Sequence, residues 1–324
     1  MPLKPERLDE FELIRRYFMR PVAADVALGI GDDAAVLEVP AGEQLVAAVD
    51  TLVAGRHFLA STSARSVGHR ALAVNLSDLA AMGATPKWAT LALTLPEANP
   101  QWLEEFAAGF MALAEHYGVS LVGGDTTRGP LTVSVQIMGT VPRGGALRRD
   151  GARSGDLLVV SGMLGDAGAG LKLAQELPLS SDKSVQYLIE RFDFPTPRVQ
   201  LGLAARDLAN AAMDISDGLV GDLPKVLNAS HLAAHVQVER LPISDALRAV
   251  VSEADARNLA LGAGDDYELL LCVPPVKLQP LMDAARQLNL TLNIIGELRA
   301  GTGLRWTLNG ADFAPRVAGF NHFD

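Results

Sequence analysis

Residues 6–20 (ERLDEFELIRRYFMR) space Leu8, Phe11, Ile14 and Phe18 at helical intervals and predict an amphipathic opening helix. Two short apolar runs follow, Ala34–Val39 and Gln44–Val49, separated by Pro40, Ala41, Gly42 and Glu43. That spacing predicts a β-hairpin. Ala64 to Met82 is rich in Ala and Leu and stops at Gly83, as a helix with a glycine C-cap does. Trp88–Leu95 reads as a strand. Asn99 and Pro100 then supply an N-cap and a first-turn proline for a helix ending at Gly118. Leu131–Val141 is a further strand. The stretch Pro142 to Gly155 (PRGGALRRDGARSG) has no apolar period and reads as the join between two domains, 1–142 and 143–324.

Beyond the join, apolar strands alternate with helices. Leu157–Ser161 precedes a glycine-punctuated turn (Gly162–Gly170) and a helix. Ala211–Ile215 precedes a helix from about Asp217, and Ala233–Val238, Tyr267–Val273 and Leu292–Gly296 are further strands. Both halves read as α/β, or α+β in places, without a strict βα repeat. No repeat of 20–50 residues and no low-complexity tract is present.

The length of 324 residues suits two cores, and 49% apolar with 20% charged residues is a globular balance. The formal net charge of -10 disfavours nucleic acid and anionic membranes as partners. It also repels phosphate compounds, so a phosphate ligand would need cations to bind. Met1 to Leu8 carries Lys4, Glu6 and Arg7 and lacks a signal-peptide core, and no apolar run approaches the ~20 residues that cross a bilayer. The one cysteine, Cys272, lies in an apolar run and reads as a buried small hydrophobe. The cytoplasm is the expected compartment.

Gly29-Ile30-Gly31-Asp32-Asp33-Ala34 fits a loose dinucleotide pattern, with Asp50 where a ribose-binding acid would sit. That motif works only where a helix starts at the loop. Pro40 and Gly42 forbid one here, and paired aspartates repel a pyrophosphate. Neither GxxxxGK[ST] nor the protein-kinase HRD and DFG motifs occur.

What recurs is an aspartate where an apolar run meets a loop. Asp32 and Asp33 lie in GIGDDAA, Asp50 ends QLVAAVD, and Asp78 lies in NLSDLAAMG. Asp125 follows LVGG, Asp214 and Asp217 lie in AMDISDGL, and Asp265 and Asp266 in GAGDDYELLL. Any one of these could be a turn or N-cap residue. Together, at the edge of a core with few Arg or Lys nearby except Arg128, they point to divalent cations. Carboxylates without a His or Cys cluster favour Mg²⁺, which takes one or two carboxylates plus substrate phosphates. Several such ions would reconcile an acidic chain with a polyphosphate.

At these residues the chain resembles the thiamine-monophosphate kinases, members of the aminoimidazole-ribonucleotide synthetase superfamily. The blocks are LGIGDDAA, VDTLVAGRHF, ALAVNLSDLAAMGA, LVGGDTTRGP, DISDGL, GDDYEL and GFNHF, spanning Gly29 to Phe323. The resemblance implies ATP-dependent phosphorylation of thiamine monophosphate by a homodimer whose N-terminal sheets join into a barrel, with a sandwich-like C-terminal domain. It implies metal ligation by Asp33, Asp50, Asp78, Asp125, Asp214 and Asp217, and nucleotide contacts at Gly124, Asp125, Arg149 and Ser216. Thiamine monophosphate would meet His57, Asp265 and Phe320.

The chain departs from the family pattern in three places. Ala48 and Val49 stand where Ser-Thr is frequent, Asp265 stands for a usual Glu, and Phe320 for Tyr or Trp. A phosphate monoester is largely dianionic at neutral pH, so the acceptor needs no general base. Direct transfer without a phosphoenzyme is expected, resting on charge neutralisation and in-line placement. Plainer roles stay open: His57 and Arg149 as solvated surface groups, Ser216 as a helix cap, Phe320 packed on its own domain. The Gly162–Gly170 turn suits close helix–strand packing better than a phosphate. An ATP-dependent cyclase of the same superfamily and a metal-stabilised dimeric binding protein are the rival functions.

Overall fold

The computed structural model describes residues 10–176 and 180–320; the last three residues of the GFNHF block and Leu8 lie outside them. The chain divides into two compact units. One takes the chain up to Asn75 together with Pro86–Thr140; the other takes Leu76–Thr85 and everything from Val141 onward. No helix is long and apolar enough to cross a membrane among the described residues.

The first unit opens on α1 (Glu10–Leu13), which runs into a five-residue π-helical turn, Ile14–Phe18, instead of the longer α-helix expected. The wider turn carries Tyr17 and Phe18 inward together, and Phe18 packs edge-on against Phe106 at 6.3 Å. Strands β1 (Val26–Leu28) and β2 (Val36–Leu37) pair antiparallel with each other. The expected hairpin between residues 34–39 and 44–49 is therefore not formed. Val26, Ala35 and Leu37 pack against Trp88 and Val122, and Asp25 accepts from Lys87 Nζ (3.1 Å) and Trp88 Nε1 (3.3 Å), which fixes this ribbon where it lies.

The second run extends to form β3 (Glu43–Val53), an edge strand of a four-stranded sheet ordered β3-β6-β4-β5. Its other members are β4 (Thr85–Leu95), β5 (Ser120–Arg128) and β6 (Thr132–Pro142), with β4 and β5 parallel. Helices α2 (Ala64–Ala81) and α3 (Pro100–Tyr117) complete the layer. Asn99 Oδ1 accepts from the N–H groups of Gln101 and Trp102, and Gly118 closes α3 in the left-handed conformation, as the sequence predicts. A Cβ on Gly68 would lie 2.1 Å from the Phe106 carbonyl, and one on Gly109 2.0 Å from that of Arg65. These two glycines let α2 and α3 touch backbone to backbone.

The second unit is built on a seven-stranded sheet ordered β13-β12-β9-β11-β7-β10-β8. In chain order its elements are β7 (Leu157–Ser161), α4 (Asp166–Glu176), α5 (Lys183–Asp193), α6 (Val199–Ala205), β8 (Ala211–Ile215), α7 (Leu219–Ser230) and β9 (Leu232–Gln237). They continue with α8 (Asp245–Val250), α9 (Glu253–Gly262), β10 (Glu268–Val273), α10 (Pro275–Gln287), β11 (Leu292–Ala300), β12 (Gly303–Leu308) and β13 (Ala311–Phe313). Pairing is antiparallel from β9 through β11, β7 and β10 to β8, and parallel between β9 and β12. Strands β8 and β10 are buried at every position, so both faces of the sheet are covered at its β8 end. Cys272 lies in β10, fully buried, and burial raises its thiol pKa far above the ordinary range.

Glu268 opens the apolar strand β10 and has no solvent exposure. Arg198 grips it through Nε (2.7 Å) and an Nη (2.5 Å), Arg191 donates at 3.1 Å, and the Ser161 hydroxyl at 2.6 Å. Truncation would leave two guanidinium groups without their anion. Glu268→Ala should destabilise the protein by about 3–5 kcal/mol, read as a lowered urea midpoint, whereas a loss below about 1 kcal/mol would contradict this account.

Candidate active site

In the first unit, a cleft of about 820 Å³ runs between the opening helical turn, the loop Ile30–Ala35 and strands β4 and β5. Asp32 and Asp33 line one side; Gly124 and Asp125 line the other, and Arg15 supplies a cation at the π-helical turn. No helix follows the Gly29–Ala34 loop, so the dinucleotide reading fails on geometry as well as pattern. The Asp33 N–H donates to the Asp32 carboxylate at 2.8 Å, which turns both exposed acids along the loop.

Asp125 lies within a strand, where a loop was expected. A register shift between β4 and β5 leaves Val122 as the unpaired extra residue, and Gly124 two positions on has φ 149°. A Cβ on Gly124 would sit 1.9 Å from the Leu91 carbonyl, so only glycine allows this approach of the two strands. Asp50 is likewise in mid-strand; its N–H donates to Asn75 Oδ1 at 3.1 Å. His57 lies in the turn after β3, half-buried. Its Nδ1 accepts from the Val53 N–H at 3.0 Å, so the neutral ring carries its proton on Nε2.

In the second unit, the turn after β8 gathers several of the expected residues. Asp214, buried next to the end of β8, accepts from the hydroxyl of Ser77, the residue preceding Asp78 in α2, at 2.8 Å. Helix α7 begins only at Leu219, with Gly218 as its N-cap, so Ser216 is not the capping residue. The turn is held instead by Asp222. Its Oδ2 accepts from the N–H groups of Ser216 (3.0 Å) and Asp217 (2.9 Å), and its Oδ1 accepts from Lys225 Nζ (2.8 Å).

Lys225 also donates to Asp217 Oδ2 at 2.7 Å. Burial raises the pKa of Asp222, the ammonium notwithstanding. Burial works against the charge on Lys225, but its hydrogen bonds to Asp217 and Asp222 outweigh that and hold its pKa above the usual value.

The loop Gly262–Tyr267 closes over this turn. The Asp265 N–H donates to the Ser216 carbonyl at 2.8 Å, and Gly264, Asp265 and Tyr267 all take positive φ. Tyr267 donates its hydroxyl to Asp265 Oδ1 at 3.2 Å. The terminal segment comes in from the other side, where the Phe320 N–H donates to the Asp217 carbonyl at 2.9 Å and the ring is 42% exposed. A Cβ on Gly319 would lie 2.6 Å from Gly221 Cα, so the segment is seated directly on α7. Ser216, Asp217, Asp265 and Phe320 thus form one constellation. The Arg149 backbone is anchored at the opposite end of α7, where its carbonyl accepts from Ser230 Oγ at 2.6 Å.

Asp266, next to Asp265, does different work. It is buried and its carboxylate accepts from the N–H groups of Gly165 (2.8 Å) and Ala167 (3.4 Å) at the start of α4. That carboxyl group occupies the start of the helix, where a phosphate would otherwise bind. A Cβ on Gly168 would lie 2.2 Å from Ala263 Cβ and one on Gly170 2.0 Å from the Leu188 carbonyl, so the turn serves close packing.

Two family models cover the chain: AIR synthase related protein, N-terminal domain, over residues 31–141, and AIR synthase related protein, C-terminal domain, over 153–309. The thiamine-monophosphate kinase of Salmonella typhimurium is 46% identical over 318 residues, 97% of this chain and 98% of that one. A crystal structure of thiamine-monophosphate kinase from Stenotrophomonas maltophilia K279a superposes with a TM-score of 0.84 at 49% identity, covering 90% of this chain and 93% of that one. A structure described as AaThiL complexed with AMPPCP and TMP gives a TM-score of 0.79 at 34% identity, over 91% and 92% of the two chains. The chain belongs to the thiamine-monophosphate kinase family.

Among the described residues no group of three or more His, Cys, Asp or Glu side chains is placed to hold a metal ion. In the first unit Asp32, Asp33 and Asp125 line one cleft, and in the second Asp214 accepts from Ser77, the residue before Asp78. Such sets suit Mg²⁺, which takes one or two carboxylates and completes its shell with phosphate and water. Asp217 Oδ2 accepts from the Lys225 ammonium at 2.7 Å.

The expectation of few nearby cations overlooked Lys225. Its signal was present: Asp222 lies on the apolar stripe of Leu219, Leu223 and Val226, and Lys225 follows three residues later. Glu268 stood out similarly as an acid before the run LLLCV.

Burial raises the Asp266 pKa well above its ordinary value, so between the two values the folded state binds more protons than the unfolded chain. Stability therefore falls as pH rises from about 4 through the raised folded value. Asp266→Asn keeps an acceptor and removes this titration. Its urea midpoint should vary less between pH 5 and pH 8 than that of the parent protein, and an unchanged pH slope would refute the assignment.

Proposed function

We propose that the chain transfers the γ-phosphoryl group of ATP to thiamine monophosphate, giving thiamine diphosphate and ADP. The observation that carries this reading is full-length membership of the kinase family together with the clustering of Ser216, Asp265 and Phe320 on one turn. A terminal phosphate oxygen of the acceptor attacks the γ-phosphorus, and the bond to the β-phosphate oxygen breaks to release ADP. The acceptor phosphate is largely dianionic at neutral pH, so no side chain has to remove a proton. Transfer is direct and leaves no phosphoenzyme.

The chain's own groups divide the work. Gly124 and Asp125 face the nucleotide phosphates from the strand bulge, with Arg15 as a cation in the same cleft. Ser216 and Arg149 are further nucleotide contacts in this reading. Phe320 stacks on the thiamine rings, and Asp265 complements the positive charge of the thiazolium. His57 offers an Nε2–H donor to the acceptor. Asp33, Asp50, Asp78, Asp125, Asp214 and Asp217 are the residues that would hold Mg²⁺, which when bound would neutralise phosphate charge.

The second link concerns assembly and setting. Leu45 and Val49 are 51% and 64% exposed on the edge strand β3, and this apolar edge supports a homodimer that pairs its four-stranded sheets into a barrel. The buried Cys272 thiol suits the reducing cytoplasm.

Incubation with ATP, Mg²⁺ and thiamine monophosphate should yield thiamine diphosphate and ADP in equal amounts, and a chelator should stop it. A superfamily cyclase or a binding protein would form no thiamine diphosphate. Asp125→Asn should lower kcat by on the order of a hundredfold or more with the circular dichroism unchanged; near-parental turnover would contradict its place at the phosphates. Phe320→Ala removes stacking worth about 0.5–1.5 kcal/mol, so the KM for thiamine monophosphate should rise roughly two- to tenfold. The KM for ATP should stay put, and equal rises in both would move Phe320 out of the acceptor site.

A further inference from the structure

We infer that Tyr267 is a positioning residue for the acceptor: its hydroxyl aims the Asp265 carboxylate at the acceptor's positively charged ring. The inference deepens the phosphotransfer reading and rests on it. Tyr267 donates to Asp265 Oδ1 at 3.2 Å, and the residue is only 8% exposed. A hydroxyl carried on a ring packed into the core is a donor at a fixed point. The carboxylate that accepts from it has less freedom to lose when a ligand arrives, which favours binding without any new contact.

The backbone is bent to make this contact. Gly264, Asp265 and Tyr267 have φ of 73°, 61° and 51°. Glycine and aspartate tolerate that region, but for a bulky aromatic residue it is a genuine outlier. Neighbouring bonds hold the bend in place. The Asp265 N–H donates to the Ser216 carbonyl at 2.8 Å, and the Tyr267 N–H to the Ile215 carbonyl at 2.9 Å. Between them the Asp266 carboxyl accepts from the Gly165 N–H at 2.8 Å. The outlier thus falls on the residue whose hydroxyl reaches the acid assigned to the acceptor.

Ser216 is assigned to the nucleotide, and its carbonyl holds the same loop. A general loosening of the loop would therefore weaken nucleotide and acceptor together, whereas loss of the hydroxyl alone would weaken the acceptor only. Isothermal titration calorimetry of the full chain with Mg²⁺, a non-hydrolysable ATP analogue and thiamine monophosphate separates the two. Tyr267→Phe keeps the ring and removes the hydroxyl. Its Kd for thiamine monophosphate should rise roughly three- to tenfold, while its Kd for the analogue stays within about twofold of the parent's. Asp265→Gly accepts the positive φ and removes the carboxylate. In that background, adding Tyr267→Phe should change the acceptor Kd by less than about twofold.

Parental acceptor affinity in Tyr267→Phe would overturn the proposal. So would an equal loss of affinity for both ligands, or a full Tyr267→Phe effect that persists without the Asp265 carboxylate. A parent chain that binds the ATP analogue but not thiamine monophosphate would overturn the functional reading, and the role of Tyr267 with it.

Discussion

Carboxylates taken out of water dictate how the second unit is assembled. Asp222, Asp266 and Glu268 have almost no exposure, and each is satisfied by donors from a different part of the chain. Asp222 ties α7 to the turn after β8, Asp266 ties the loop before β10 to the start of α4, and Glu268 ties β10 to two arginines and to Ser161. An unpaired charge in such a place is prohibitive, so the partners must arrive together or not at all. The positive-φ loop Gly264–Tyr267 is affordable only because Asp266 and the Ser216 carbonyl pin it on both sides.

The functional surface inherits its shape from those ties. Ser216 and Asp217 are presented by a turn whose N–H groups point back at Asp222, so their side chains are left to face outward. Asp265 follows because its own N–H is spent on Ser216. Phe320 follows because its N–H is spent on Asp217. In the first unit the organising feature is steric: the bulge at Val122 and the bare Cα of Gly124 let β5 run against Leu91 and set Asp125 in the cleft that Asp32 and Asp33 also line.

Two kinds of acid therefore share one sequence signature. Asp33 and Asp125 sit at a cleft wall with oxygen ligands to offer, whereas Asp222, Asp266 and Glu268 are structural anions already saturated by protein donors. Asp217 lies between the classes, adjacent to the ligand-facing turn yet bonded to an ammonium. In GDDYEL the neighbours Asp265 and Asp266 differ in role: Asp265, at φ 61°, donates its N–H to the Ser216 turn, whereas the buried Asp266 carboxyl accepts from the Gly165 and Ala167 N–H groups.

Periodicity and end signals determined most elements by themselves. Strands Leu157–Ser161 and Ala211–Ile215, the helix capped by Asn99 and Gly118, and the buried Cys272 all depend on local pattern and local sterics. Motif blocks around Asp50, Asp78 and Asp125 likewise sufficed to indicate the family.

Only the tertiary structure decided which strands pair. Residues 34–39 join β1 over Trp88 and not the neighbouring run, because burial of Val26 and Leu37 outweighs proximity along the chain. It alone decided that Asp125 lies in a strand, that Ser216 is no cap, and that Lys225 reaches Asp217. Those outcomes depend on contacts between distant segments, and a linear pattern of apolar and polar residues carries no record of the distances on which charge interactions turn.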